Sequence, residues 1–241
     1  MADESTQENP DAVPEAAAPP DFIPLEPEIL HGLATIDARR RFQIMFWALF
    51  LCAISIQLPI RGITRVDVLP NWLGAIGVLL QLLALESLAA DLGRVMRLTR
   101  WLIVISLFSW IHPGVLFGWT DFSESLATLM SIAFTIVLAL WADTWGEVVG
   151  RWAKGTQQVE LHQYTELVRR WAPILLGVTV FLSFPLLIGE RAHPATAAAM
   201  TGCWLCAWIL VLTLTWRTRN LAGFLLRLRE EHEQEQAAAV E

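Results

Sequence analysis

Cysteine is nearly missing from this chain of 241 residues, with three in all: Cys52, Cys203 and Cys206. Each lies inside an apolar run, which excludes the disulfide framework by which small secreted domains compensate for a thin core. The signatures of nucleotide and hydrolytic chemistry are missing too. There is no P-loop, no G-x-G-x-x-G, no H-E-x-x-H and no G-x-S-x-G, so phosphate transfer, dinucleotide binding and the common hydrolases lose their usual handles. No Lys or Arg precedes Arg39. Without a basic n-region or an apolar h-region, residues 1–30 do not read as a cleaved signal peptide. Rich in Pro, Ala and acid, they bury too little apolar surface to order themselves, and residues 1–38 are expected to form a disordered acidic tail.

What is abundant is apolar surface. Hydrophobic residues make up 55% of the chain, mean hydropathy is +0.48, and there are 12 tryptophans. That lies outside the range of ordinary soluble domains and points to lipid as the solvent. The formal charge of −7 misleads. Nine carboxylates precede Arg39 and five more follow from Glu230 onward; the remainder holds ten acidic against seventeen basic residues. The part between the tails is therefore basic.

A bilayer core about 30 Å thick takes about 20 apolar residues of helix. Six stretches approach that length: 42–60, 68–90, 101–120, 125–143, 171–189 and 195–216. The second is the shortest, and reaches spanning length only if Glu86 sits at an interface and residues 87–90 extend it. These stretches predict an all-α, polytopic bundle of six transmembrane helices over 39–220, followed by an interfacial amphipathic helix and acidic tail over 221–241. Basic residues are retained on the cytoplasmic side. With both termini inside, six spans place 14 basic residues in the cytoplasm and leave only Arg61, Arg65 and Arg191 outside. Five spans would give 13 against 4, so apolar length decides for six: leaving the second run in water would expose a large apolar surface at about 25 cal/mol per Å². The expected location is a bacterial inner membrane. Trp72 and Trp119 fall at the expected outer boundary, and Trp101, Trp141, Trp145, Trp171 and Trp216 at the inner one, as membrane anchors or packing residues.

The segment "RVDVLPNWLG", residues 65–74, opens the second span. Asp67 is expected to cap its first N–H groups, with Pro70 in the first turn, where a missing N–H is harmless. Arg61 or Arg65 would pair with Asp67 at the outer face. "DVLPNWLGAIGVLL", residues 67–80, resembles a D-[IV]-L-P-[DN]-[FW]-[IL]-G segment that opens the second span of uncharacterised small polytopic bacterial membrane proteins. The resemblance implies topology and no activity, and Asn71 stands where an acid is usual.

Few polar groups fall at membrane depth. His112 lies near the middle of the third span, directly before Pro113, and is read either as a hydrogen-bonding partner of the carbonyl that Pro113 frees or as a relay or ligand group. Gln81 in the second span is the other half of a candidate midplane polar site. Pro113 and Pro185 break two helices, as a transporter or hinge requires and as ordinary membrane helices tolerate. Cys203 and Cys206 form a C-x-x-C on one face of the last span. Membrane thiol oxidoreductases carry such a pair, but with a second exposed pair that this chain lacks, so packing between small residues is the plainer reading. No four-ligand metal set and no cofactor motif is seen.

At the inner boundary Glu86, Asp91 and Asp143 lie near Arg94, Arg97 and Arg151, and ion pairs are expected. Arg94, Arg97, Arg100, Arg151, Arg169, Arg170, Arg217 and Arg219 form a cytoplasmic rim suited to anionic lipid headgroups. Leu221, Phe224, Leu225 and Leu228 make an apolar stripe just beyond, suited to the interface, a protein partner or a second copy of the chain. Basic residues confined to a band at the membrane do not suit nucleic acid. Three functions remain open: a non-enzymatic accessory or interaction component, a small-solute or ion transporter around His112, and a thiol oxidoreductase at Cys203 and Cys206.

Overall fold

The computed structural model describes residues 25–54, 57–60, 63–67, 71–85, 88–110, 120–187 and 193–238. Residues 1–24, Arg61, Pro70, Glu86, His112, Pro113, Trp119 and Arg191 lie outside the described residues. Those described are helical apart from one short hairpin: α1 Pro27–Leu33, α2 Ile36–Ala53, β1 Gln57–Ile60, β2 Ile63–Asp67, α3 Asn71–Leu83, α4 Ala89–Trp110, α5 Thr120–Gly155, α6 Val159–Leu187 and α7 Pro194–Ala238.

Local chemistry sets several of these boundaries. Thr35 opens α2, its hydroxyl accepting from the Ala38 N–H at 3.0 Å, with Asp37 in the positive first turn. The helix stops at Ala53, where Ile54 turns extended. Beyond it β1 and β2 pair antiparallel, Gln57 opposite Asp67 and Ile60 opposite Ile63. The register slips between Leu58 and Ile60, at Pro59, because proline cannot donate to the ladder and is tolerated at such irregularities. The turn after α5 is a Schellman motif. Gln157 adopts φ 57°, Gln158 N–H donates to the Ala153 carbonyl at 2.9 Å and Gln157 N–H to Lys154 at 3.1 Å.

Six helices pack in chain order around a ring: α2 on α3, α3 on α4, α4 on α5, α5 on α6, α6 on α7, and α7 back on α2. Paired contacts fix direction. Ala48 and Cys52 of α2 meet Gly77 and Gly74 of α3. Asp91 and Thr99 of α4 meet Trp152 and Trp141 of α5. Gly146 and Gly150 of α5 meet Arg169 and Thr165 of α6, while Arg39 and Phe46 of α2 meet Gly223 and Trp216 of α7. In each pair one number rises as the other falls, so these neighbours run antiparallel. Antiparallel closure of α7 on α2 is what an even number of alternating helices produces. α1 then sits against the far part of α7, with His31 Nδ1 3.4 Å from Arg229 Nη1.

Among the described residues three helices are long and apolar enough to cross a membrane, over Thr128–Gly155, Val159–Pro185 and Pro194–Ala238. The expected bounds of the tail and of the first two spans are corrected: the tail, expected over 1–38, gives way to α1 at Pro27 and to α2 at Ile36. The apolar run 42–60 is helical only to Ala53, its last four residues being β1. The run 68–90 is not one helix: α3 has 13 residues and ends at Leu83. Leu85 N–H then bonds the Leu82 carbonyl and Leu88 N–H that of Leu85. These tight turns precede a new helix, so residues 89 and 90 start α4 and do not extend α3. The stripe expected beyond the last span continues the same helix. α7 runs unbroken for 45 residues, about 68 Å at 1.5 Å each. Leu221 and Leu225 are buried within the protein, while Phe224 and Leu228 face outward.

The core is densest where α5 meets α2 and α4. Trp141, Trp145, Trp152 and Phe42 are all fully buried. Trp145 stacks on Trp141 at 6.0 Å, meets Trp152 edge-on at 5.9 Å and lies 6.1 Å from Phe42. Trp141 and Trp145, expected at the inner boundary as anchors or packing residues, are core packing residues; Trp101, Trp171 and Trp216 face outward.

Close helix approach depends on glycine at one contact above all. A Cβ on Gly74 would stand 2.5 Å from the Ala48 carbonyl oxygen and 2.6 Å from Cys52 Sγ, and backbone cannot give way cheaply. Gly74→Ala is expected to lower stability by about 1–3 kcal/mol, the range of overpacking. Gly93→Ala is the control: its Cβ would meet nothing within 4 Å, and removing a helical glycine stabilises by about 0.5–1 kcal/mol. Thermal unfolding of the two variants in detergent should shift in opposite directions.

Candidate functional site

α5 carries three kinds of chemistry on one turn-by-turn pattern. Its tryptophans face the core, Gly146 and Gly150 face α6, and Asp143, Glu147 and Arg151, four apart, tie it to its neighbours. Arg151 Nη1 pairs with Asp91 Oδ1 at 2.9 Å, and Trp152 Nε1 donates to Asp91 Oδ2 at 2.9 Å. Asp91 is the most enclosed charge of the group, its side chain 12% exposed. It lies in the first turn of α4, where the helix dipole also favours an anion. Trp141 Nε1 donates to Thr99 Oγ1 at 2.9 Å, and Thr99 in turn donates to the Val95 carbonyl. Arg94 approaches Glu147 at 3.9 Å across the same pair of helices.

The α5 and α6 pair is tied similarly. Arg169 Nε donates to Asp143 Oδ1 at 3.2 Å, and its Nη1 lies 3.5 Å from Glu166 Oε1. A Cβ on Gly146 would stand 2.6 Å from Arg169 Cγ, so the glycine lets the arginine stem cross α5. Between α6 and α7, Tyr164 Oη donates to the Leu210 carbonyl at 3.3 Å, and the Arg217 guanidinium lies 4.5 Å over the Tyr164 ring. Arg219 covers Trp216 at 4.4 Å, and Arg170 stands 6.0 Å from the Trp171 ring. The whole set forms a collar at the end of the ring where α2, α4 and α6 begin and α3 and α5 end.

The expected rim therefore divides. Arg94, Arg151 and Arg169 are engaged in ties between helices, Arg217 and Arg219 lie over aromatic rings, and Arg97 and Arg100 are exposed with no ion pair among the described residues. The expected pairing of Asp91 with Arg94, three residues on, is replaced by Asp91 with Arg151 on the next helix. The reason is reach. Arg151 and Trp152 present two donors to Asp91 from one helix turn, and the indole ring is already held by the core.

The other expected sites are described only in part, since Arg61 and His112 lie outside the described residues. Asp67 ends β2 opposite Gln57, four positions before the first described residue of α3; Arg65 lies on the same strand. Gln81 is half-buried on α3. The enclosed void at the ring centre, about 10 Å³, is lined by apolar residues and Thr99 and not by Gln81. That volume is close to the least that holds one water. Cys203 is half-buried and Cys206 exposed on α7, both as free thiols, while buried Cys52 donates from Sγ to the Asn71 carbonyl at 3.2 Å. Among the described residues no three of His, Cys, Asp and Glu converge on a point.

Two of these features have a signal in the sequence and a third has none. "GEVVG", residues 146–150, is a G-x-x-x-G on an apolar helix, the spacing that lets two helices approach closely in a membrane. The four-residue spacing of Asp143, Glu147 and Arg151 marked the polar edge of α5. The pairing of Trp152 with Asp91 had no local signal. Compared with known families, curated proteins and solved structures, the chain matches none.

Proposed function

We propose that this chain is an integral protein of a bacterial inner membrane, crossing it six times with both termini in the cytoplasm, and that it serves as a non-enzymatic accessory or interaction component. The antiparallel closure of α7 on α2 carries the reading. An alternating ring that closes this way has an even number of helices, and α1 beside Arg229 puts the two described ends of the chain at one end of the ring. The charged collar gathers at that same end, which the retention of basic residues makes cytoplasmic. α2 and α3 are shorter than a full span, and in this reading they cross with the β1–β2 hairpin at the outer interface, where water reaches its backbone. The resemblance of residues 67–80 to the segment opening the second span of small polytopic proteins agrees with it.

The cytoplasmic end is the working surface in this reading. Arg97, Arg100 and Arg170, free of carboxylate partners among the described residues, meet anionic headgroups at about 1 kcal/mol each near the surface. Phe224, Leu228 and the exposed acidic turns of α7 offer a protein partner or second copy a face with both apolar and charged character. The test is topology. Protease-cleavable tags at the two termini should both be cut in inverted membrane vesicles and both be protected in right-side-out ones. Cleavage of one tag in each preparation would defeat the even-numbered ring.

A further inference from the structure

Between α5 and α6 lies an open groove of about 420 Å³. Ala139 and Leu140 form one wall, Gly177 and Val180 the other, and the Asp143–Arg169 pair closes one end. Gly177 keeps part of the groove open. A Cβ on Gly177 would meet nothing within 4 Å, so no neighbour fills the space that a larger side chain would take. From Arg169 to Val180 the groove follows eleven helical steps, about 16 Å at 1.5 Å each. That is about half of a 30 Å hydrocarbon core, the depth of one leaflet.

The closed end has polar character that the tie to Asp143 does not use up. Arg169 gives Nε to Asp143 and Nη1 to Glu166, which leaves Nη2 with no partner among the described residues. Arg170 follows it, exposed and without an ion pair among those residues. A one-leaflet apolar trough with Arg169 at its closed end and Arg170 exposed one residue further on matches one molecule with a long alkyl chain and an anionic head.

We propose that this groove is a phospholipid site, holding one acyl chain along Ala139, Leu140, Gly177 and Val180 with its phosphate at Arg169 and Arg170. The proposal rests on the membrane reading above and adds to it a defined place where lipid is bound and not merely adjacent. The test uses the full chain in vesicles containing a phosphatidylglycerol whose acyl chain carries a photoactivatable group, with labelled residues mapped by peptide mass spectrometry.

Label should concentrate on the four groove residues, well above that on Leu205 and Ile209, which face outward on α7. Gly177→Phe should lower groove labelling several-fold and leave Leu205 and Ile209 unchanged; Gly177→Leu serves if the larger side chain prevents folding. Arg170→Gln should weaken groove labelling, and a photoactivatable diacylglycerol, lacking the phosphate, should label the groove no better than α7. Equal labelling of groove and α7 would overturn the site while leaving the membrane reading intact. Cross-links from the groove to a second copy would overturn it in favour of self-association, and a chain labelled nowhere would overturn both readings.

Discussion

Trp145→Ala should destabilise the protein by about 3–5 kcal/mol, the cost of emptying a large aromatic from a packed core. The side chain is fully buried and touches three other rings, Trp141, Trp152 and Phe42, contributed by α5 and α2. Removing it opens a cavity where two helices meet, and the remaining rings are too rigid to collapse into the gap. The companion variant separates packing from hydrogen bonding. Trp145 Nε1 is buried with no partner among the described residues, a group that costs about 1–3 kcal/mol to leave unsatisfied. Trp145→Phe keeps an aromatic ring in place and deletes that unpaired donor, so it should recover most of the loss. Thermal unfolding in detergent, read by aggregation or by size-exclusion recovery after heating, would check both; a phenylalanine variant as unstable as the alanine variant would show that the indole N–H has a partner after all.

The depth of Trp145, which the sequence places near a boundary as an anchor or packing residue and the fold places in the core, marks what could be read from sequence. Apolar runs identified six of the seven helical regions, because length and absence of charge depend on local composition alone. α5, α6 and α7 were the most legible: their long uncharged stretches leave no other solution. The first two runs misled for a physical reason. A count of uncharged residues cannot distinguish a helix from a strand, and "QLPI" and "ITRVD", with β-branched residues on either side of Arg61-Gly62, satisfy the strand pattern as well. Glu86 and residues 87–90 illustrate the same limit. Asp91 suits the first turn of a new helix better than the end of an old one, and that local preference outweighs apolar continuity.

The collar was half legible. Arginines at helix ends declare a basic rim, but which of them stay exposed and which tie helices together depends on who stands across the ring, and that is set by tertiary register. Asp91 and Trp152 are 61 positions apart, beyond any local rule. Gly146 and Gly150 were legible from their spacing alone, as a seam of small residues that carries no polar chemistry. His112, weighed as a midplane group, lies outside the described residues, while its expected companion Gln81 is absent from the lining of the central void.

The same tertiary register predicts an asymmetry at Asp91. Asp91→Ala should cost about 1–3 kcal/mol through Trp152 alone, because it leaves a buried indole donor without an acceptor. Loss of Arg151 from the pair should add only about 0–1 kcal/mol, since the arginine side chain is 53% exposed and water replaces its partner. The two contributions separate in double-mutant cycles. Trp152→Phe made in the Asp91→Ala background should be much less damaging than in the native protein, since the donor it removes is already unpaired. Arg151→Gln should be mild in either background, and milder at high salt, because an exposed pair is screened. A cycle in which Arg151 couples to Asp91 more strongly than Trp152 does would reverse the assignment, making the carboxylate an electrostatic tie and not the acceptor that seats the tryptophan core.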